Sequence, residues 1–179
     1  MDREIERPMG RPPLPMPRNS TRIVASLASV VTQCAAELQR SGVLAALAFL
    51  NERTRFRYTG VYHADPPVLR NVQLFDRENP RLNVSGEVVQ LGETYCGIVY
   101  ETNAPVTIAD SLQDPRLRAH AARESYLSYG GVPIRLNNGR PWGSLCHFDV
   151  RPRLLSPAEL HILEAAAPLF ARWLAETGA

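Results

Sequence analysis

Gly131-Val132-Pro133-Ile134-Arg135-Leu136 and Trp142-Gly143-Ser144-Leu145-Cys146-His147-Phe148-Asp149-Val150 are two apolar-rich stretches separated by Asn137-Asn138-Gly139-Arg140. That four-residue connection is a hairpin turn signal, so the stretches are predicted to be neighbouring antiparallel strands. Alternation along a strand sends Ser144, Cys146 and Phe148 to one face and Leu145, His147 and Asp149 to the other. A register error of one residue would exchange the two sets.

Downstream, Ser156-Pro157-Ala158-Glu159 reads as a capping box with proline in the first turn. The helix it opens carries Leu160, Leu163, Ala167, Phe170 and Leu174 on one stripe, and Pro168 is expected to kink or interrupt it. Upstream, Gly130-Gly131 is read as a sharp turn into the strand, not a phosphate fingerprint, because a strand follows. Asp114-Pro115 fits an N-cap followed by proline at the first helical position, with helix predicted to about residue 126. Residues 106–108 read as a strand ending at Asp110. Residues 93–101 read as a short helix carrying Tyr95, Cys96 and Val99, and residues 87–91 as a strand.

Further upstream, residues 64–81 read as a polar, proline-interrupted crossing with an apolar patch at 72–75. Residues 55–63 alternate and are aromatic-rich, a strand. The apolar run 43–50 reads as a buried strand. Residues 20–40 form a helix with Ile23, Leu27, Val30, Cys34 and Leu38 on one stripe, stopped by Gly42. Residues 1–19 hold Pro8, Pro12, Pro13, Pro15 and Pro17 with no apolar period, a disordered or loosely docked tail. The domain therefore runs over residues 20–179. Its element order gives an α+β, sandwich-like fold: an antiparallel sheet with helices on its faces, the two terminal helices sharing one face.

The chain's 179 residues suffice for one core. A net charge of +2 gives no nucleic-acid footprint. Every basic residue is arginine, the coding bias of a GC-rich genome, so no single arginine is functional by composition alone. No apolar run reaches membrane-span length. Cys34, Cys96 and Cys146 lie far apart in sequence without a CxxC, which reads as reduced thiols of a cytoplasmic protein. His63, His120, His147 and His161 are scattered without HxH or HxxxH spacing, which argues against a metal site.

Tyr95-Cys96, Pro105-Val106-Thr107-Ile108-Ala109-Asp110, Asp114-Pro115-Arg116, Tyr129-Gly130-Gly131-Val132-Pro133-Ile134, the strand from Trp142 to Asp149 and the helix start at Leu155-Ser156-Pro157 follow one another in order. Together they resemble a bacterial GAF domain over residues 22–176. The resemblance implies a GAF-like central antiparallel sheet. It places the terminal helices on one face, and short helices and loops roofing a small-molecule pocket on the other. The roof would be residues 95–100 and 116–129, and the floor residues 132–134 and 144–148, with the Cys146 face towards the pocket. The ligand contacts it implies are Tyr95, Cys96, Val99, Asp110, Arg116, Tyr126, Tyr129, Ser144, Cys146 and Phe148.

Several of these residues carry two readings. Asp110 and Arg116 can hold a polar ligand head or simply close turns, and Asp-Pro favours turns. Tyr95, Tyr126 and Tyr129 can stack on a planar ligand or serve as amphipathic roof residues. Cys96 can be a reactive thiolate at a helix start or a small buried hydrophobe, with packing favoured. Cys146 reads as packing, and His147 beside it points to the opposite face, so the two cannot readily form a nucleophile and base.

The expected function is a cytoplasmic sensory domain binding an unknown small molecule. It would act through ligand-dependent change at the terminal helices, as a homodimer or with a partner protein. Met1 and the tail favour a stand-alone protein. One alternative is a thiol-dependent reductase of the free methionine sulfoxide reductase type using Cys96, which lacks a resolving thiol unless Cys146 reaches it. A second is a ligand-free interaction scaffold. Covalent bilin is disfavoured, because Arg118-Ala119-His120 offers histidine without an adjacent cysteine.

Overall fold

A computed structural model of the protein describes residues 18–177, with side chains from residue 26 onward. The tail expected over residues 1–19 lies outside the described residues except for its last two positions. Those two already belong to the first helix, α1 (Arg18–Ser41). α1 buries Val30, Cys34 and Leu38. It ends where Gly42 takes φ 83°, a left-handed conformation that costs glycine nothing.

The chain then restarts as a second helix, α2 (Val43–Asn51), which overturns the strand expected over residues 43–50. An unbroken apolar run carries no period that separates a buried strand from a buried helix. Composition decides it: the run Val-Leu-Ala-Ala-Leu-Ala-Phe-Leu is rich in the strong helix formers Ala and Leu.

β1 (Tyr58–Asp65) turns at Pro66-Pro67 into β2 (Val68–Asp76), paired antiparallel from Tyr58↔Asp76 to Asp65↔Val68. The crossing expected over residues 64–81 is therefore mostly a strand. Its alternation was masked by Arg70, Asn71 and Gln73, and by a register shift between Val61 and Tyr62. With β3 (Val88–Gln90), β4 (Val106–Ile108), β5 (Ser128–Arg135) and β6 (Pro141–Asp149), the strands form one six-stranded antiparallel sheet in the order β3-β2-β1-β6-β5-β4. The hairpin between β5 and β6 closes on Gly139 at φ 79°.

α1, α2 and α4 (Pro157–Thr177) pack on one face of this sheet. Their core includes Leu47, Leu50, Leu163 and Phe170 against Val61, Leu145, Val132 and Ile134. Truncating Phe170, which is fully buried, to alanine would cost about 3–5 kcal/mol. The reciprocal capping box at the start of α4 is formed. Ser156 N donates to Glu159 Oε2 at 2.8 Å and Glu159 N donates to Ser156 Oγ at 3.2 Å. α4 runs unbroken through Pro168. Pro168 and Glu164, whose carbonyl loses a backbone donor, both lie on the exposed side, where water replaces the missing bond.

A buried polar network fastens α2 to the sheet. Asn51 Nδ2 donates to Thr59 Oγ1 at 2.8 Å, and Thr59 Oγ1 lies 2.7 Å from His147 Nδ1. Arg77 Nε donates to Asn51 Oδ1 at 2.8 Å. Burial, reinforced by Arg77, lowers the His147 pKa from 6.5 to about 3. The imidazole is thus neutral, and its Nδ1 shares one hydrogen bond with the Thr59 hydroxyl.

The opposite face of the sheet carries α3 (Tyr95–Thr102) and three short 3-10 turns, Leu91–Glu93, Pro115–Leu117 and Ala121–Glu124. The single helix expected to about residue 126 is two separate turns. Asp114 caps the first, its side chain accepting from Arg116 N at 3.0 Å. His120 stays extended and caps the second, its Nδ1 accepting from Ala122 N at 3.2 Å.

Candidate functional site

Between α3, these turns and the sheet lies a cavity of about 370 Å³. β1 and β2 contribute Tyr62, Leu69 and Asn71, and β5 and β6 contribute Tyr129 and Phe148. Glu93, Thr94, Tyr95 and Cys96 form the edge at the start of α3; Ala121, Ala122, Ser125 and Tyr126 form the side made by the second turn. Glu87 and Val89 stand at the mouth, where both are exposed.

The aromatic walls are braced against each other. Tyr95 packs on His120 at 4.8 Å and on Tyr129 at 5.5 Å, and Tyr126 meets Phe148 edge-on at 5.1 Å. Tyr95 Oη donates to the Tyr126 carbonyl at 3.0 Å, tying α3 to the turn that faces it. Burial holds the phenols of Tyr62 and Tyr129 protonated, with pKa values well above the usual 10.

At the back of the cavity, Cys96 Sγ lies 3.9 Å from Cys146 Sγ. Tyr129 Oη donates to Cys96 Sγ at 3.4 Å. The Cys146 thiol, and behind it the nearby Ser144 and Tyr129 hydroxyls, lower the Cys96 pKa against the opposing effect of burial. Burial raises the pKa of Cys146. Cys34 lies in the core on the other face of the sheet, where burial pushes its thiol to about 11. The sequence placed no redox pair here, since Cys96 and Cys146 are 50 residues apart. Sheet topology brings them together.

Gly131 makes this arrangement possible. A Cβ on it would fall 2.1 Å from Tyr129 Oη, so the tyrosine lies back across its own strand only because residue 131 has no side chain. Gly130-Gly131 is thus not the expected turn. Both glycines are inside β5, and neither takes a positive φ.

The family model for the GAF domain matches residues 23–172. The protein belongs to the GAF domain family. The GAF domain from an Acinetobacter phosphoenolpyruvate-protein phosphotransferase superposes with a TM-score of 0.67 at 16% identity, covering 86% of this chain and 95% of that one. A free methionine-R-sulfoxide reductase from Neisseria meningitidis, in complex with its substrate, superposes at 0.64 with 19% identity, covering 87% and 93%. A far-red absorbing dark-state protein with bound biliverdin superposes at 0.63 with 16% identity, covering 84% and 99%. No curated protein matches the chain.

Within this GAF domain, five of the expected contact residues line the cavity: Tyr95, Cys96, Tyr126, Tyr129 and Phe148. Cys146, Ser144 and Val99 are fully buried behind that wall. The Ser144 hydroxyl has no hydrogen-bond partner there. Asp110 and Arg116 line a separate shallow groove. Asp110 Oδ1 accepts from Leu112 N at 3.0 Å, and the Arg116 Nε donates to Asp114 Oδ1 at 2.9 Å, both turn-closing bonds. The floor expected at residues 132–134 needs correction, because Val132 and Ile134 belong to the core under the terminal helices. Tyr129 sits on the sheet, not in the roof.

Tyr62, Leu69, Asn71, Glu87 and Glu93 were missed. Leu69 and Asn71 were hidden with β2, and nothing in a lone exposed glutamate marks a cavity mouth. Tyr62 was recoverable, since alternation along residues 55–63 separates its face from that of Val61. Among the described residues, no group of three or more His, Cys, Asp or Glu side chains is placed to hold a metal ion. No helix among them is long and apolar enough to cross a membrane.

Proposed function

We propose that this GAF domain is a sensory module that binds a small molecule in the aromatic cavity between α3 and the sheet. The cavity itself carries the reading: about 370 Å³, within the usual range for small-ligand sites, with apolar walls and a few polar groups. A ligand there touches α3, the 121–124 turn and the inner strands together, so binding orders them jointly. The sheet links that change to α1 and α4 on its other face. A second copy or a separate partner protein reading those helices completes the signal.

Filling the cavity tests this. Ala122→Trp places an indole in the space without touching the helical core. In thermal melts across a metabolite panel, at least one compound should raise the wild-type melting temperature by several degrees and leave the variant unmoved. A ligand at 100 times its Kd contributes about 2.7 kcal/mol. A panel that moves neither protein would favour the interaction scaffold.

One observation favours a second reading, a thiol-dependent reductase. The Cys96 sulfur is 3.9 Å from a second thiol and borders the cavity. A Cys96 thiolate attacking the sulfur of free methionine sulfoxide would yield methionine and a Cys96 sulfenic acid. Attack by the Cys146 thiol would then give a Cys96–Cys146 disulfide and water, which an external dithiol would reduce. Reduction of free methionine sulfoxide, abolished by Cys96→Ser, would establish this reading and end the sensor-only one.

A further inference from the structure

The cavity's polar groups are unevenly matched. Tyr95 Oη is spent on the Tyr126 carbonyl, Tyr129 Oη on Cys96, and Thr94 Oγ1 on the Leu91 carbonyl. The hydroxyls of Tyr62, Ser125 and Tyr126 also line the cavity and are free to donate or accept, so the asymmetry lies in the charged and amide groups, where only acceptors are unspent. Asn71 is 3% exposed and stands in the wall, and its Oδ1 has no hydrogen-bond partner. Glu87 and Glu93 bring two carboxylates to the same wall. No ion pair among the described residues uses either. No arginine or histidine lines the cavity.

Five aromatic rings, those of Tyr62, Tyr95, Tyr126, Tyr129 and Phe148, share the rest of the wall with aliphatic and small side chains. Ring faces carry negative charge density and attract cations, most strongly where water is excluded. The same aromatic cluster already shows this pairing at its edge. Arg57 Cζ sits 4.7 Å from the ring centroid of Tyr58, which stacks on Phe148 at 4.8 Å. The charge of Glu87 reaches inward as well. It adds to burial in raising the pKa values of Tyr62 and Tyr126. A phosphate or carboxylate ligand would enter against two carboxylates with no basic side chain to receive it. A cation would meet ring faces, a vacant amide oxygen and two compensating charges.

We infer that the cavity takes a small organic cation, a protonated amine or quaternary ammonium head, held against the aromatic wall with Glu87 and Glu93 at the mouth. The inference rests on the sensory reading of the same cavity and names its ligand class. The cation's charge selects it, and the tyrosines and Phe148 supply the apolar contact. Asn71 Oδ1 offers a bond to any N–H the head carries.

Two isosteric probes isolate the charge: choline, and 3,3-dimethylbutan-1-ol, which replaces the trimethylammonium group with a neutral tert-butyl group. Binding to the full chain is measured by titration calorimetry, with acetate and inorganic phosphate as anionic probes. Choline should bind about tenfold tighter than the neutral isostere, and added salt should narrow the gap. Glu87→Gln changes an exposed residue and keeps its shape. It should shrink the choline preference while leaving the alcohol's affinity unchanged. Equal binding of the two isosteres, or tighter binding of an anion, would overturn the cation assignment and leave the sensory reading standing. If no probe binds, the cation assignment fails. If the metabolite melts are also flat, the sensory reading fails with it.

Discussion

His147 shows how one buried side chain sets the pH response of the fold. Its pKa is about 3 in the folded protein and 6.5 when exposed. Between those values the unfolded chain binds a proton that the native state refuses, so stability falls as pH drops. The slope from this group is about 1.4 kcal/mol per pH unit. Asp76 is held near pKa 2 chiefly by its bond to Arg57, so it destabilises only below its ordinary 3.8. Burial also lowers the His63 pKa from 6.5, so His63 shares the top of the window from pH 6.5 to 3.8, and His147, with the larger shift, carries the rest. Urea melts of His147→Asn should lose most of the pH dependence there, and an unchanged slope would contradict the neutral, buried imidazole. Gly131→Ala tests the thiol corner in the same way. The added methyl forces the Tyr129 hydroxyl off Cys96 Sγ, so the Cys96 pKa should rise, read as slower alkylation by iodoacetamide at neutral pH. Neither residue's role was legible in sequence. The partners of His147 lie on α2 and β1, and Gly131 acts through a ring two positions back on its own strand.

Local signals were legible where one residue type does one job at one spacing. The Asn-Gly turn, the Ser156 capping box and the Asp114 cap each came from neighbours within four residues, and each is formed. Ser156→Ala should cost about 1 kcal/mol in chemical denaturation; a loss near zero would mean that α4 is held by packing alone. Where the local signal is silent, the reading failed. The apolar run of α2 has no period, and β2 alternates through polar residues that face the cavity and solvent. That second failure is informative, because Asn71 breaks the strand pattern at the point where it joins the cavity wall. Correct alternation in β6 put Cys146 and Phe148 on the cavity face. The floor that the resemblance implied in β5, the whole run 132–134, made no use of alternation and so took in Val132 and Ile134, which face the terminal helices.

Across the whole molecule, the sheet separates two environments. One face is a continuous apolar core under α1, α2 and α4. The other is a smaller cluster that leaves space beside Tyr62, Tyr95 and Phe148. Motif order made the fold legible, but the cavity's chemistry depends on side chains from five strands and turns that meet only in three dimensions. The central claim is that this space holds a small molecule, and native mass spectrometry of the gently purified full chain tests it most directly. The expected result is a noncovalent adduct of small-molecule mass that dissociates on mild activation and is absent from Ala122→Trp. A bare wild-type chain, still bare after incubation with a cell-derived metabolite extract, would contradict it.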